Sequence, residues 1–363
     1  MGKKKRIDND LPYSFLIDNI KVLLIFLVVF NHLIAMVLIR QSGVYRHIWY
    51  AITIFHMPAF VFVSGYLSKH PQNQMKNFRN LMMPYILGYT MSWYTYNWNG
   101  QHMDFELLRP SGTVMWYLLA LFFYRLTIEA LARVRFIVPL SILAALLAGL
   151  RPEFSTYLSA SRIVVFFPFF VAGYLWRSDY TRVIRSFKAK WLLVPVAGML
   201  LYSVPAYMFR HNLPVDLFRQ NHSYQMSGVT MYEGIALRAM MYVVSFIIIF
   251  LLFAVLPDKK LFFSFLGRNT MPIYFFHYPI LNVANGLLLL QIPEVNTIWS
   301  NLGISAALVL ILGCPPVDWL YNKIMWLIGL IIFKKDKKRE GNLRDDEYDE
   351  DEEEPEEIPA PAM

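Results

Sequence analysis

The sequence predicts an all-α fold, a polytopic transmembrane helix bundle of about ten spans with both termini cytoplasmic. Three observations carry this. Of 363 residues, 56% are hydrophobic and only 17% charged, where soluble domains run at about 45–50% apolar and about 25% charged. Apolar stretches long enough to cross a bilayer recur along the chain, and the mean hydropathy is +0.39. Basic residues gather in alternate gaps between those stretches. The single Cys314 excludes an internal disulfide framework and a cysteine-built zinc site.

The formal charge of +8 joins two opposed blocks. Asp345–Glu357 holds 11 of the 26 acidic residues, so residues 1–344 carry a net +19. The chain therefore reads as a basic cytoplasmic N-terminus (1–14), a transmembrane domain (15–333) and a basic-then-acidic cytoplasmic tail (334–363) too polar to build a core.

A span needs about 20 mainly apolar residues. Ten segments qualify, at roughly 15–39, 46–68, 80–98, 113–128, 136–150, 160–176, 191–209, 235–256, 270–291 and 298–320. The fifth is short. Met325–Phe333 is too short to cross and reads as an interfacial piece. Lys3, Lys4, Lys5 and Arg6 precede the first span and no small-residue cleavage site follows it, so it reads as an uncleaved anchor. Arg6 stands where a myristoylation signal needs Ser or Thr. With the N-terminus inside, inner segments hold 23 Lys and Arg and outer ones eight, Arg40 among them. That bias follows the positive-inside rule. There is no internal repeat of the kind many transporters carry.

Ionisable groups inside apolar spans are costly and mark function by default. The first span holds Asp18, Lys21, Asn31 and His32. Lys21 and His32 are 11 residues apart, about 20° beyond three helical turns, so they share a face at about 16 Å separation along the axis. Asp18, three residues before Lys21, is within pairing reach. Lys21 and Asp18 read either as a snorkelling interfacial ion pair or as part of a functional stripe ending at His32. The second span contains Phe55-His56-Met57-Pro58 and then Ser64-Gly65-Tyr66. Pro58 frees a backbone carbonyl one turn back, which either lines a polar cavity or merely kinks the helix.

Lys76 and Arg79 lie three residues apart before the third span, at the cytoplasmic mouth. They suit a phosphate-bearing ligand, although topology alone also accounts for them. Trp93, Tyr94, Tyr96 and Trp98 form an interfacial belt or a platform for sugar faces. Arg162 opens the sixth span ahead of Phe166-Phe167-Pro168-Phe169-Phe170. In the ninth, His277 falls about 10 Å into the inner half and reads as structural.

Asp18-Asn19-Ile20-Lys21 through His32 resembles the Arg/Lys-x10-His signature of the acyltransferase-3 family of integral membrane acyltransferases. Phe55-His56-Met57-Pro58-Ala59-Phe60-Val61-Phe62-Val63-Ser64-Gly65-Tyr66-Leu67 is similar to that family's second-span pattern, closest to the fucose 4-O-acetylase-like branch. Lys76-x-x-Arg79 followed by Met83-Pro84-Tyr85 resembles its basic pair before the third span. Weaker echoes are Trp116-Tyr117-Leu118, Phe167 to Tyr174 and Gly267 to His277, and the likeness covers roughly residues 13–333.

The resemblance implies transfer of an acyl group, usually acetyl, from cytosolic acyl-CoA to a hydroxyl of an extracytoplasmic or lipid-linked glycan. Acyl-CoA is then a donor substrate, with no permanently bound cofactor and no metal. Partners are membrane lipid, acyl-CoA, a glycan or glycolipid acceptor and the envelope-polysaccharide machinery, with no nucleic acid. His32 and Lys21 map onto the key His and basic residue, and Lys76 and Arg79 onto the CoA-phosphate pair. Lys21 and Lys76 stand where many members have Arg, which loses the bidentate phosphate fork. On this reading His32 is the general base, and Lys21 holds CoA or orients the helix through Asp18. His56 orients the reactants or stabilises the oxyanion. Arg162, Trp93, Trp98 and the loops 99–112 and 210–231 contact the acceptor. Succinyl transfer fits the same motifs. The rival class is a proton-coupled transporter or flippase, which shares intramembrane His, Lys and Asp but needs no acyl-CoA.

Overall fold

A computed structural model describes residues 14–37, 43–69, 73–110, 113–152 and 156–333. The N-terminal Lys3–Arg6 cluster, Arg40 and the charged tail lie outside them. The described secondary structure is helical, with no strand among these residues. In chain order the helices are α1 (Phe15–Val37), α2 (Gly43–Tyr66), α3 (Gln74–Asn77), α4 (Met83–Trp98), α5 (Trp116–Leu131), α6 (Ile137–Ala148) and α7 (Ala160–Leu175). There follow α8 (Ser178–Ser186), α9 (Leu193–Arg210), α10 (Val215–Arg219), α11 (Met231–Val255), α12 (Thr270–Gly286), α13 (Ile298–Leu312) and α14 (Pro315–Ile332). The chain divides into two units, Met1–Tyr321 and Asn322–Met363. The packed core and the cavity described below belong to the first.

Each predicted span contains a helix, but the helices differ in reach. Five stretches are long and apolar enough to cross a membrane: Phe15–Val37, Gly43–Tyr66, Tyr157–Leu175, Lys188–Arg210 and Met231–Val255. α13 and α14, bent by 59°, make a sixth if taken together. α4, α5, α6 and α12 have 16, 16, 12 and 17 residues, about 18–26 Å of helix against a hydrocarbon core of about 30 Å.

The tenth predicted segment is not continuous. It breaks after Leu312, because Pro315 and Pro316 have no N–H for an i−4 bond; Asn269 Nδ2 donates to the Gly313 carbonyl at the break (3.0 Å). Met325–Phe333, expected as a separate interfacial piece, instead falls largely in the second half of α14. The third segment starts early: Lys76 is on α3 and Arg79 on the π-helical turn Phe78–Met82 that leads into α4.

α2 is the hub, packing on α1, α7, α9 and α11. Its crossing with α7 is glycine on backbone. A methyl group at Gly173 would sit 1.9 Å from the Phe62 carbonyl oxygen, and one at Gly65 2.0 Å from the Phe170 carbonyl oxygen. Small residues permit this approach where lipid gives helices no hydrophobic drive to associate. The crossing sets the spacing between the helices that carry His56 and Arg162. Gly173→Ala is therefore expected to cost about 2 kcal/mol, read as a lowered thermal unfolding midpoint in detergent. Gly198→Ala, whose added methyl meets nothing within 4 Å, serves as the control; equal midpoints for the two would contradict the crossing.

Pro58 does free a carbonyl, as its place in α2 predicts. The acceptor left without its helical N–H is Ile54 O, and the buried Ser245 hydroxyl of α11 donates to it (2.8 Å). The kink thus ties α2 to α11.

Candidate active site

A cavity of about 560 Å³ opens between α1, α2, α7 and α12, with the loops after α4 and α9 adding Gln101, Phe218 and Arg219 to its lining. His32, His56 and Arg162, drawn from three separate predicted spans, line it together. Asn31, Tyr96, Gln101, Arg219, Tyr278, Asn282 and Asn285 supply further polar lining.

α1 delivers His32 from an otherwise apolar stretch. Its ring meets His277 (centroids 5.5 Å) and Tyr278 (5.3 Å) of α12. One residue earlier, Asn31 Nδ2 donates to Thr53 Oγ1 of α2 (3.1 Å), and Thr53 in turn donates to the Trp49 carbonyl (2.7 Å). This bridge fixes the angle at which α1 presents His32 beside α2.

His56 is buried, with Nδ1 2.8 Å from the Ile52 carbonyl oxygen. A carbonyl only accepts, so in the neutral ring Nδ1 carries the proton and Nε2 keeps its lone pair. His277 has the same arrangement, with Nδ1 at 3.0 Å from Ile273 O and 2.8 Å from Tyr274 O. Its Nε2 is buried without a hydrogen-bond partner among the described residues.

Arg162 enters from the first turn of α7 and is 6% exposed. Its Nε donates to the Arg219 carbonyl (2.9 Å), its guanidinium lies 5.0 Å from the Trp116 ring centre, and Nη1 has no partner among the described residues. Arg219 comes from α10 in the loop after α9, and Gln101 from the loop after α4. Both loops were expected to approach the acceptor.

Other predicted site residues lie elsewhere. Lys21 is paired with Asp18 (3.1 Å), which also meets Arg268 (3.6 Å). Lys21 does not line the cavity, as about 16 Å of helix between it and His32 implies. Lys76 and Arg79 are exposed, off the cavity. Trp93 and Trp98 are off it too: the Trp93 indole donates to the Met103 carbonyl (2.8 Å), pinning the following loop, and Trp98 is half exposed. From that aromatic belt Tyr96 is the residue that reaches the cavity. Outside the spans, Lys69 at the end of α2 donates to the Trp176 carbonyl. Burial and neighbouring Arg177 hold its ammonium below the ordinary lysine range.

His277 was read only as a structural residue in the inner half of its span; its contact with His32 (ring centroids 5.5 Å), just off the cavity lining, was not foreseen. The nearest signal was its position in a span, three residues after Tyr274.

Comparison with curated proteins and with solved structures returned no match. A family model described as an acyltransferase domain, that of acyltransferase-3, matches residues 16–316. The match spans α1 to the start of α14 and therefore every residue that lines the cavity. The apolar helices, the histidine-lined cavity and this match together identify the chain as a multi-pass membrane acyltransferase belonging to the acyltransferase-3 family.

Proposed function

We propose that this protein takes an acyl group, acetyl in the first instance, from cytosolic acyl-CoA and delivers it to a hydroxyl of an extracytoplasmic or lipid-linked glycan. It would do so in the cytoplasmic membrane, within an envelope-polysaccharide pathway. The observation that carries the reading is the convergence of His32, His56 and Arg162 on one cavity inside the acyltransferase domain. On this reading all ten helical segments are embedded and both termini are cytoplasmic, the short α4, α5, α6 and α12 being sheltered by their neighbours.

His32 has no hydrogen-bond partner among the described residues and faces the cavity, a disposition that suits a general base. It removes the proton of the sugar hydroxyl as the oxygen attacks the thioester carbonyl. The C–S bond then breaks, and the protonated ring returns its proton to the departing CoA thiolate. A direct ternary transfer and an acyl-His intermediate both fit this geometry. His56, its Nδ1–H committed to the Ile52 carbonyl, accepts a hydrogen bond at Nε2 from a neighbouring hydroxyl of the sugar and so orients the one that reacts. The oxyanion role expected for it then passes to a donor such as the Tyr278 hydroxyl.

Lys76 and Arg79 hold the CoA phosphates at the mouth, and Lys21, through Asp18 and Arg268, fixes the inner end of α1. The Lys76→Ala, Arg79→Ala double variant is expected to raise the KM for acyl-CoA about tenfold, consistent with losing one to two charge-assisted contacts, with kcat nearly unchanged. An unchanged KM would remove the phosphate role. The reading as a whole is tested by release of free CoA from acetyl-CoA by the purified protein and by glycan mass spectrometry with and without it. A protein that neither binds nor consumes any acyl-CoA would refute it.

A further inference from the structure

The charges around the cavity do not balance. Among the described residues no Asp or Glu lines it, while Arg162 and Arg219 both do. Arg219 is compensated, with Nη1 3.5 Å from Asp216 Oδ1. Arg162 is not: it is 94% buried by its 6% exposure, forms no ion pair among the described residues, and its buried Nη1 is unpartnered. A buried guanidinium without a counter-charge is costly, and arginine is the residue whose planar fork matches a carboxylate. Since Arg219 O occupies Nε (2.9 Å), the outer Nη edge is what remains for a ligand.

We propose that this cavity takes a substrate bearing a carboxylate, held by the Arg162 guanidinium beside His32. One uncompensated cation calls for one negative charge, which a carboxylate supplies and a phosphate dianion overshoots. The inference rests on the acyl-transfer reading and deepens it by naming the substrate class. The carboxylate has two possible sources: the free end of a dicarboxylic acyl group on CoA, or an acidic sugar of the acceptor.

Both sources are tested on the full-length protein in nanodiscs by equilibrium binding. One arm compares succinyl-CoA with butyryl-CoA, which has the same chain length and no terminal charge. The other compares a uronic-acid oligosaccharide with its neutral hexose counterpart. The expected result is at least about tenfold tighter binding of the carboxylate partner in one arm, the scale of a charge-assisted hydrogen bond. Arg162→Met should reduce that preference to within about twofold of unity. Should the Met variant fail to fold by its thermal transition, Arg162→Lys is read in its place and should lower the preference several-fold by losing the fork. Absence of preference in both arms, or a preference that survives substitution of Arg162, overturns the proposal. CoA release in the same samples separates the two claims. With acetyl-CoA and the oligosaccharide then supplied together, release without selectivity sinks the carboxylate alone, and selectivity in the sugar arm with neither binding nor consumption of any acyl-CoA sinks acyl transfer.

Discussion

His32→Ala is expected to insert and fold as the unaltered protein does, yet to transfer acyl groups about a thousandfold more slowly, the scale of a lost general base. Folding should survive because His32 makes no hydrogen bond among the described residues, so its removal strands no buried donor or acceptor. Acyl-CoA affinity should also survive, because Lys76 and Arg79 stand apart from the cavity. His32→Gln, which keeps volume and polarity but has no basic nitrogen, is expected to be equally slow. CoA release from acetyl-CoA and the mass of the glycan product report the loss. Full activity in either variant would remove His32 from the chemistry.

The second large effect is expected at His277. Its Nδ1 is committed to two backbone carbonyls of its own helix, and its Nε2 lone pair is buried and unused. With ring centroids 5.5 Å apart, a small rotation of either ring brings an N–H of His32 onto that lone pair. Such a bond would hold the opposite nitrogen of His32 toward the substrate. His277 is then a positioning residue, acting through His32. His277→Ala should lower kcat about a hundredfold, the scale of a reacting group displaced by about 1 Å, with the KM for acyl-CoA unchanged. His277→Asn, which restores an acceptor, should recover part of kcat. A merely structural role predicts a different pattern: a lowered unfolding midpoint, and no kinetic recovery in the Asn variant.

These expectations mark what was legible in the sequence. His32 and His56 stood out because each is an ionisable group in an apolar run, where its cost demands a reason; Arg162, at the outer edge of its span, read equally well as an anchor. Pro58 was legible as a kink, since the missing N–H is a covalent fact; that Ser245 from a helix almost 190 residues later would cap the freed carbonyl was not. Two kinds of information were hidden. One is the rotation and tilt of helices against each other, set by reciprocal close approaches such as Gly65 on Phe170 and Gly173 on Phe62. No periodicity encodes such pairings between helices, nor the one between α1 and α12 that brings His277 against His32. The other is the choice of residue within the returning loops: 99–112 and 210–231 were expected near the acceptor, but nothing local singles out Gln101 and Arg219 as the side chains that line the cavity. The Gly313–Pro316 stretch was visible yet read through, because the hydropathy on either side is continuous while the helix is not.

The most direct test of the central claim is a structure of the full-length protein with a non-transferable thioether analogue of acetyl-CoA. The account predicts the acyl carbonyl in the cavity, about 3–4 Å from His32, with the nucleotide phosphates at Lys76 and Arg79. An acyl end bound anywhere outside the cavity lined by His32, His56 and Arg162 would contradict it.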